Sequence, residues 1–331
     1  MRRILGVFFV VCGLSAVTPA YADTQAGHIT WESWSFDWEI EGNTALELHN
    51  VLYANEQVLA KASLPVIRVK YIKEWPWWHP YRWFGIGRSG GKCGPFQDRI
   101  TWSKLQHPVP ICQSRPGLDD RLCLEWYTVD GVKWLEFGVY ARIGEYHIYQ
   151  AWLLSEDGEI RPIVESRGLS CKTDHIHHPY WRLHFAINGS VKEQVFVHND
   201  RARDEGWGPG WHKYTNELDE VKNPATNRVW FVRDNLTGHG VWVMHGLVYG
   251  KEVRDDGVRD RFSNRDVSVR LYHEEEDVPW LFGADGDLGY SEEEPIQEEE
   301  IVFWYIAHLP HTAVDGPAAW LTVGPVLKVQ R

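Results

Sequence analysis

Along most of the chain, apolar and polar side chains alternate in short runs with the two-residue period of a pleated strand, and Gly, Asn, Asp and Pro bound the runs. Apolar positions at helical spacing are scarce. Ala45–Tyr53 is the first clear strand, and 58–71 continues as one bent strand or a pair. Further strands are predicted at 100–103, Leu122–Val129, Val132–Ile143, 147–154, 175–187, 191–197, 228–234, 240–248, 267–272 and Ile301–Ile306. With 19 tryptophans to fill a wide core, this pattern predicts a mainly β protein, a large antiparallel β-sandwich. No repeat of fixed period and no Ser- or Gly-rich linker divides the chain, so one domain over 23–331 is expected.

The N-terminus breaks the alternation. Arg2 and Arg3 precede an apolar run over 4–17, and Ala20-Tyr21-Ala22 offers a small-residue cleavage site before Asp23. Residues 1–22 therefore read as a signal peptide, and the product as secreted or periplasmic. No later stretch is apolar enough to span a bilayer. Removing the peptide leaves 32 basic against 46 acidic residues, a net charge of −14. Such a surface repels nucleic acid and anionic lipid. Runs of acid at 274–277 and 292–300 are expected to be solvated loops. Four cysteines remain, Cys93, Cys112, Cys123 and Cys171, which in an oxidising compartment implies up to two disulfides with three pairings open.

Candidate chemistry concentrates in Asp174-His175-Ile176-His177-His178-Pro179-Tyr180-Trp181-Arg182. On a strand, His175 and His177 project from one face and His178 from the other, and two adjacent neutral imidazoles suit copper or zinc. Trp75-Pro76-Trp77-Trp78-His79-Pro80-Tyr81-Arg82-Trp83-Phe84 is an aromatic block that two prolines keep out of a strand interior. It is expected to plug or wall a pocket, with a stacking platform for a ligand as the alternative. The Gly206-Trp207-Gly208-Pro209-Gly210-Trp211 loop is similar in kind.

Read outward from the His pair, the order of features resembles the catalytic domain of the copper amine oxidases. The stretch 45–71, ending LPVIRVKY, is similar to that domain's opening strands, and Tyr71 matches a tyrosine that lines the family's active site. The stretch 122–158 looks like the segment whose tyrosine is oxidised to topaquinone. Tyr146 takes that place, with Trp152 and Asp157-Gly158 following in the family's pattern. The His-x-His, with Arg182 five residues on, is the third match, and Glu300-Ile301-Val302-Phe303-Trp304-Tyr305-Ile306-Ala307-His308-Leu309-Pro310 the fourth. The resemblance implies His175, His177 and His308 as copper ligands, Tyr146 and Tyr71 as catalytic residues, and topaquinone formed from Tyr146. It further implies oxidation of a primary amine by dioxygen to aldehyde, ammonia and hydrogen peroxide, a homodimer, and disulfides Cys93–Cys123 and Cys112–Cys171.

The chain departs from the family at three points. Gly85 follows Trp83-Phe84 where the family has its aspartate base, so another base must serve, with Glu74, His79 and His147 the candidates. Glu145 and His147 flank Tyr146 instead of Asn and Asp or Glu. His184 and Ala186 stand where a peripheral calcium site has aspartates, so no calcium is expected there. Three alternatives stay open: a copper protein that has lost amine oxidation, a three-histidine zinc hydrolase, and a non-catalytic binding module built on residues 75–84.

Overall fold

The computed structural model describes residues 25–41, 44–71, 96–110, 112, 119–171, 174–190, 192–199, 209–221, 228–248, 251–252, 262–274 and 293–331. The expected signal peptide over 1–22, the 75–84 aromatic block, Gly85 and Cys93 lie outside them.

The chain opens with a meander of β1 (Gln25–Trp31), β2 (Trp34–Glu41), β3 (Ala45–Tyr53) and β4 (Glu56–Val69), each antiparallel to the last. A short β5 (Phe96–Asp98) returns onto β4. A second meander follows in β6 (Leu122–Val129), β7 (Val132–Ile143), β8 (Tyr146–Ser155) and β9 (Glu159–Arg167). The His-x-His strand, β10 (His175–Phe185), then joins β4 of the first sheet. Next come β11 (Glu193–Asn199), β12 (Gly210–Lys213), β13 (Leu218–Glu220), β14 (Val229–Asp234) and β15 (Gly240–Met244). A small hairpin of β16 (Leu247–Val248) and β17 (Lys251–Glu252) leads to β18 (Val267–Leu271), β19 (Ile301–Ile306), β20 (Leu309–His311), β21 (Leu321–Val323) and β22 (Val326–Gln330).

Two ten-stranded sheets result. The first runs β1-β2-β3-β4-β10-β19-β18-β13, with β20 extending β19's place beside β10 and β5 on β4. The second runs β12-β11-β14-β15-β22-β9-β8-β7-β6, with β21 on β9. Every pairing among the named strands is antiparallel, and among the described residues the only helical turns are two of the 3₁₀ type. Among the described residues, no helix is long and apolar enough to cross a membrane. The inward faces share one hydrophobic core: Trp34, Phe36, Trp181 and Phe303 from the first sheet meet Phe137, Trp152, Trp230 and Val241 from the second. The expected antiparallel sandwich is what forms.

Two expectations fail here. Residues 100–103 are not a strand: Trp102–Lys104 is a 3₁₀ turn, in which the Lys104 amide donates to the Thr101 carbonyl at 2.9 Å and Trp102 packs under the Arg121 guanidinium. The disulfide is Cys112–Cys123, with Cα atoms 5.8 Å apart, which excludes both expected pairings. Its cause is local. The Val109 amide donates to the Asp120 carbonyl, and Val109, Cys112 and Cys123 pack together against Tyr140 and Tyr149 on the outer face of the second sheet. Cys171 is disulfide-bonded as well.

Candidate metal centre

On β10 the side chains alternate faces, and the register of its neighbours decides what each meets. His175 pairs with His311 of β20, and His177 pairs with Leu309 on one side and Val69 of β4 on the other. Continuing that register beyond β4 brings Tyr71 alongside His175, with ring centroids 4.5 Å apart. Tyr146, the first residue of β8, enters the same space from the opposite sheet. Its hydroxyl lies 3.0 Å from Nε2 of His175, and the Ser170 amide donates to it at 2.9 Å.

The three imidazoles converge. Nε2 of His175 and Nε2 of His177 are 2.9 Å apart, so at most one of them carries a hydrogen and a lone pair faces the shared space. His311 donates Nε2–H to the Gly316 carbonyl at 3.1 Å, which leaves its Nδ1 as the lone-pair nitrogen. That Nδ1 is buried and has no hydrogen-bond partner among the described residues. One nitrogen from each of His175, His177 and His311 falls within 4.8 Å of the others, and all three residues are buried. A buried lone pair without a donor is costly unless something else satisfies it, and a metal ion does so.

Burial holds the His177 imidazole well below its ordinary range, in the neutral form that ligates metal, and the neighbouring His175, His311 and His178 rings further disfavour a positive charge on it. Burial pushes Tyr71 strongly up, and its hydrogen bond to Tyr146 adds to the effect. Tyr146 is raised by burial, while hydrogen bonds from Tyr71 and the Ser170 amide act in the opposite sense. The two rings are nearly parallel, 6.2 Å apart. Of the two phenols, Tyr146 has the better-supported oxygen.

His308 is not the third member. The strand register turns it to the other face of the sheet, where its Nδ1 lies 2.7 Å from Nδ1 of His178 and its Nε2 lies 2.5 Å from the Asp266 carboxylate. All three of those side chains are fully buried. His178 does face away from His175 and His177, as alternation required. His147 also faces outward, 2.8 Å from the Tyr140 hydroxyl, and so stands on the wrong side of β8 to act beside Tyr146. Glu74 and His79 lie outside the described residues.

No family model matches the chain, and no curated protein sequence matches it. Solved structures do. A copper-containing benzylamine oxidase from Hansenula polymorpha superimposes with a TM-score of 0.69 at 13% identity, over 99% of this chain and 63% of that one. The fold resembles that of the copper amine oxidases. An amine oxidase from Aspergillus nidulans gives 0.62 at 14% identity, and the Pichia pastoris lysyl oxidase gives 0.57 at 14%, each over 92% of this chain and 51% of the other. The chain thus spans between half and two thirds of these oxidases, and at such identities the likeness is one of fold.

Within that amine-oxidase-like fold, two groups escaped the sequence reading. His311 follows from strand parity: Ile301, Phe303 and Tyr305 face the core, so 307, 309 and 311 do too. Asp98 had no signal. It closes the three-residue β5, opposite Ile67, and its charge is felt by both Tyr71 and Tyr146.

Proposed function

We propose that this protein is an exported copper-dependent oxidase of primary amines, with one copper ion held by His175, His177 and His311 and a quinone formed at Tyr146. The observation that carries the reading is the Tyr146 hydroxyl set 3.0 Å from His175 in a buried group of three imidazoles, one with an unpaired nitrogen. Three neutral imidazoles are a donor set that suits copper and leaves positions open for small ligands. The fold resemblance supports the same reading.

Bound copper supplies redox chemistry with dioxygen beside the Tyr146 ring, and a quinone there supplies an electrophilic carbonyl that accepts two electrons from an amine. The chain's own residues do the rest. Tyr71 and the Ser170 amide fix the position of the Tyr146 oxygen, and Tyr71 covers the His175 ring. The burial of His175, His177, His311, Tyr71 and Tyr146 keeps bulk water away. The reading includes a signal peptide over 1–22, a single domain over 23–331 and assembly as a homodimer.

The test is metal analysis with peptide mass. Wild-type protein is expected to hold one copper per chain, and the Tyr146 peptide to carry the added oxygen of a quinone. His311→Ala is expected to lose the metal, whereas His308→Ala keeps it in its folded fraction. Zinc in place of copper, or full copper retention by His311→Ala, overturns the assignment.

A further inference from the structure

We propose that Asp98 is the group that removes the proton from the carbon bearing the substrate's nitrogen, an inference that rests on the oxidase reading above.

The placement comes from register. Asp98 pairs with Ile67 and Phe96 pairs with Val69, and directly opposed residues of an antiparallel pair share a face. Ile67 and Val69 belong to the inter-sheet core, which is also the face that carries His175, His177 and Tyr71. Phe96 confirms the direction, its ring centroid lying 6.0 Å from that of Tyr71. Asp98 therefore lies on the face that looks into the space between the sheets, on a strand that flanks β4 on the edge opposite to β10. Among the described residues, no other carboxylate exerts a charge effect on these two phenols.

The local environment suits proton exchange. Burial raises the Asp98 carboxyl above its ordinary value, and the Lys104 ammonium offsets part of that rise. The lysine is itself tied to the Arg99 carbonyl at 2.7 Å, so its charge stays in place. A raised carboxyl is a stronger base than an exposed one, and a side chain in this role contributes about 10²–10⁴-fold to rate. The step balances. With the amine nitrogen condensed on the quinone carbonyl and water released, the C–H bond would break, its proton would pass to the Asp98 carboxylate and its electron pair would form a C=N bond as the quinone gains two electrons; water would then release the aldehyde, and dioxygen would take up the two electrons with two protons as hydrogen peroxide. Asp98 thus fills the role left open by Gly85.

The experiment uses copper-loaded full-length protein, benzylamine as probe, and the variants Asp98→Asn and Asp98→Glu. The Asn variant is expected to keep copper and the Tyr146 mass change, while anaerobic bleaching of the quinone by benzylamine slows by about 10²-fold or more. The Glu variant should recover part of the rate. In metal-free wild type, benzylamine with a water-soluble carbodiimide should form an amide on Asp98, seen as a mass shift on its peptide. Bleaching by Asp98→Asn within about threefold of wild type, or an unmodified Asp98, removes this residue while leaving the oxidase reading in place. Wild-type protein without copper or quinone overturns that reading and the Asp98 role together. Wild type that holds both yet is not bleached by benzylamine overturns the Asp98 role as stated.

Discussion

Gly168 adopts φ +128, and a Cβ added there would stand 2.4 Å from the Glu145 carbonyl oxygen and 2.9 Å from Cα of Tyr146. This is backbone against backbone, with no flexible side chain to yield. Gly168→Ala is therefore expected to push the start of β8 away and to carry the Tyr146 ring off His175, at a cost of roughly 3 kcal/mol or more. Urea unfolding reads the loss, and the Tyr146 peptide in the surviving folded protein should lack the quinone mass. An unchanged midpoint and full quinone content would show that the turn relaxes without moving the ring. By contrast, an Ala at Gly144, where φ is +59 but nothing lies within 4 Å, meets only the intrinsic strain of the left-handed region, about 1 kcal/mol.

At the scale of the element, Glu193 opens β11 and ties the two sheets together. Its amide donates to the Glu299 carbonyl just ahead of β19, and its Oε1 accepts from the Ile187 amide at 3.2 Å. Its Oε2 is buried without a partner among the described residues. Burial pushes this carboxyl up to about 8, beyond what the Ile187 hydrogen bond pulls down, and Glu300 and Asp234 add to the rise. The folded value lies above that of the unfolded chain, about 4.3. Its contribution to stability is thus full below the unfolded value and disappears as pH climbs through about 8. Glu193→Gln should flatten the fall in melting temperature between about pH 5 and pH 9, and should exceed wild type at the upper end. Parallel curves for the two proteins would show that Glu193 is ionised throughout.

Elements also differ in how plainly they can be read. The strands over Leu122–Val129 and Val132–Ile143 are found with their bounds because alternation and the Asp130-Gly131 turn agree. The strand β2, Trp-Ser-Phe-Asp-Trp-Glu-Ile-Glu, alternates as cleanly, yet its turn is built on Glu32 at φ 49 with no Gly, Asn or Pro to mark it. The strand β9 hides behind Pro162. That proline is tolerated because β22 pairs only up to Ile160 and β21 resumes at Val164, which leaves no donor required between them. The facing of the His pair was legible for the same reason as the strands, since alternation assigns a face, whereas Tyr146 was marked only by the resemblance of its segment to the copper amine oxidases. His308 was assigned by its place ahead of a proline, and parity along β19 and β20 puts His311 there instead. Asp98 depends on a return of the chain onto β4 that no local pattern announces.

Over the whole molecule, the candidate centre sits where the two sheets face each other, yet its three nitrogen donors all come from one sheet, on β10 and β20. Among the described residues, Tyr146 is the one that reaches across to them. A metal held by folded but not unfolded chain stabilises by mass action, about 2.7 kcal/mol at a hundredfold excess over its dissociation constant. For a chain of this size that corresponds to a rise in melting temperature of roughly 5 °C or more. Copper should therefore raise the melting temperature of wild type, and a chelator should reverse the rise. Tyr146→Phe should keep most of the shift because it retains all three imidazoles, and His311→Ala should lose it. Loss of the shift in Tyr146→Phe would instead make the phenol oxygen a fourth ligand, so that the ion itself joins the two sheets. An undiminished shift in His311→Ala would place the copper elsewhere in the molecule.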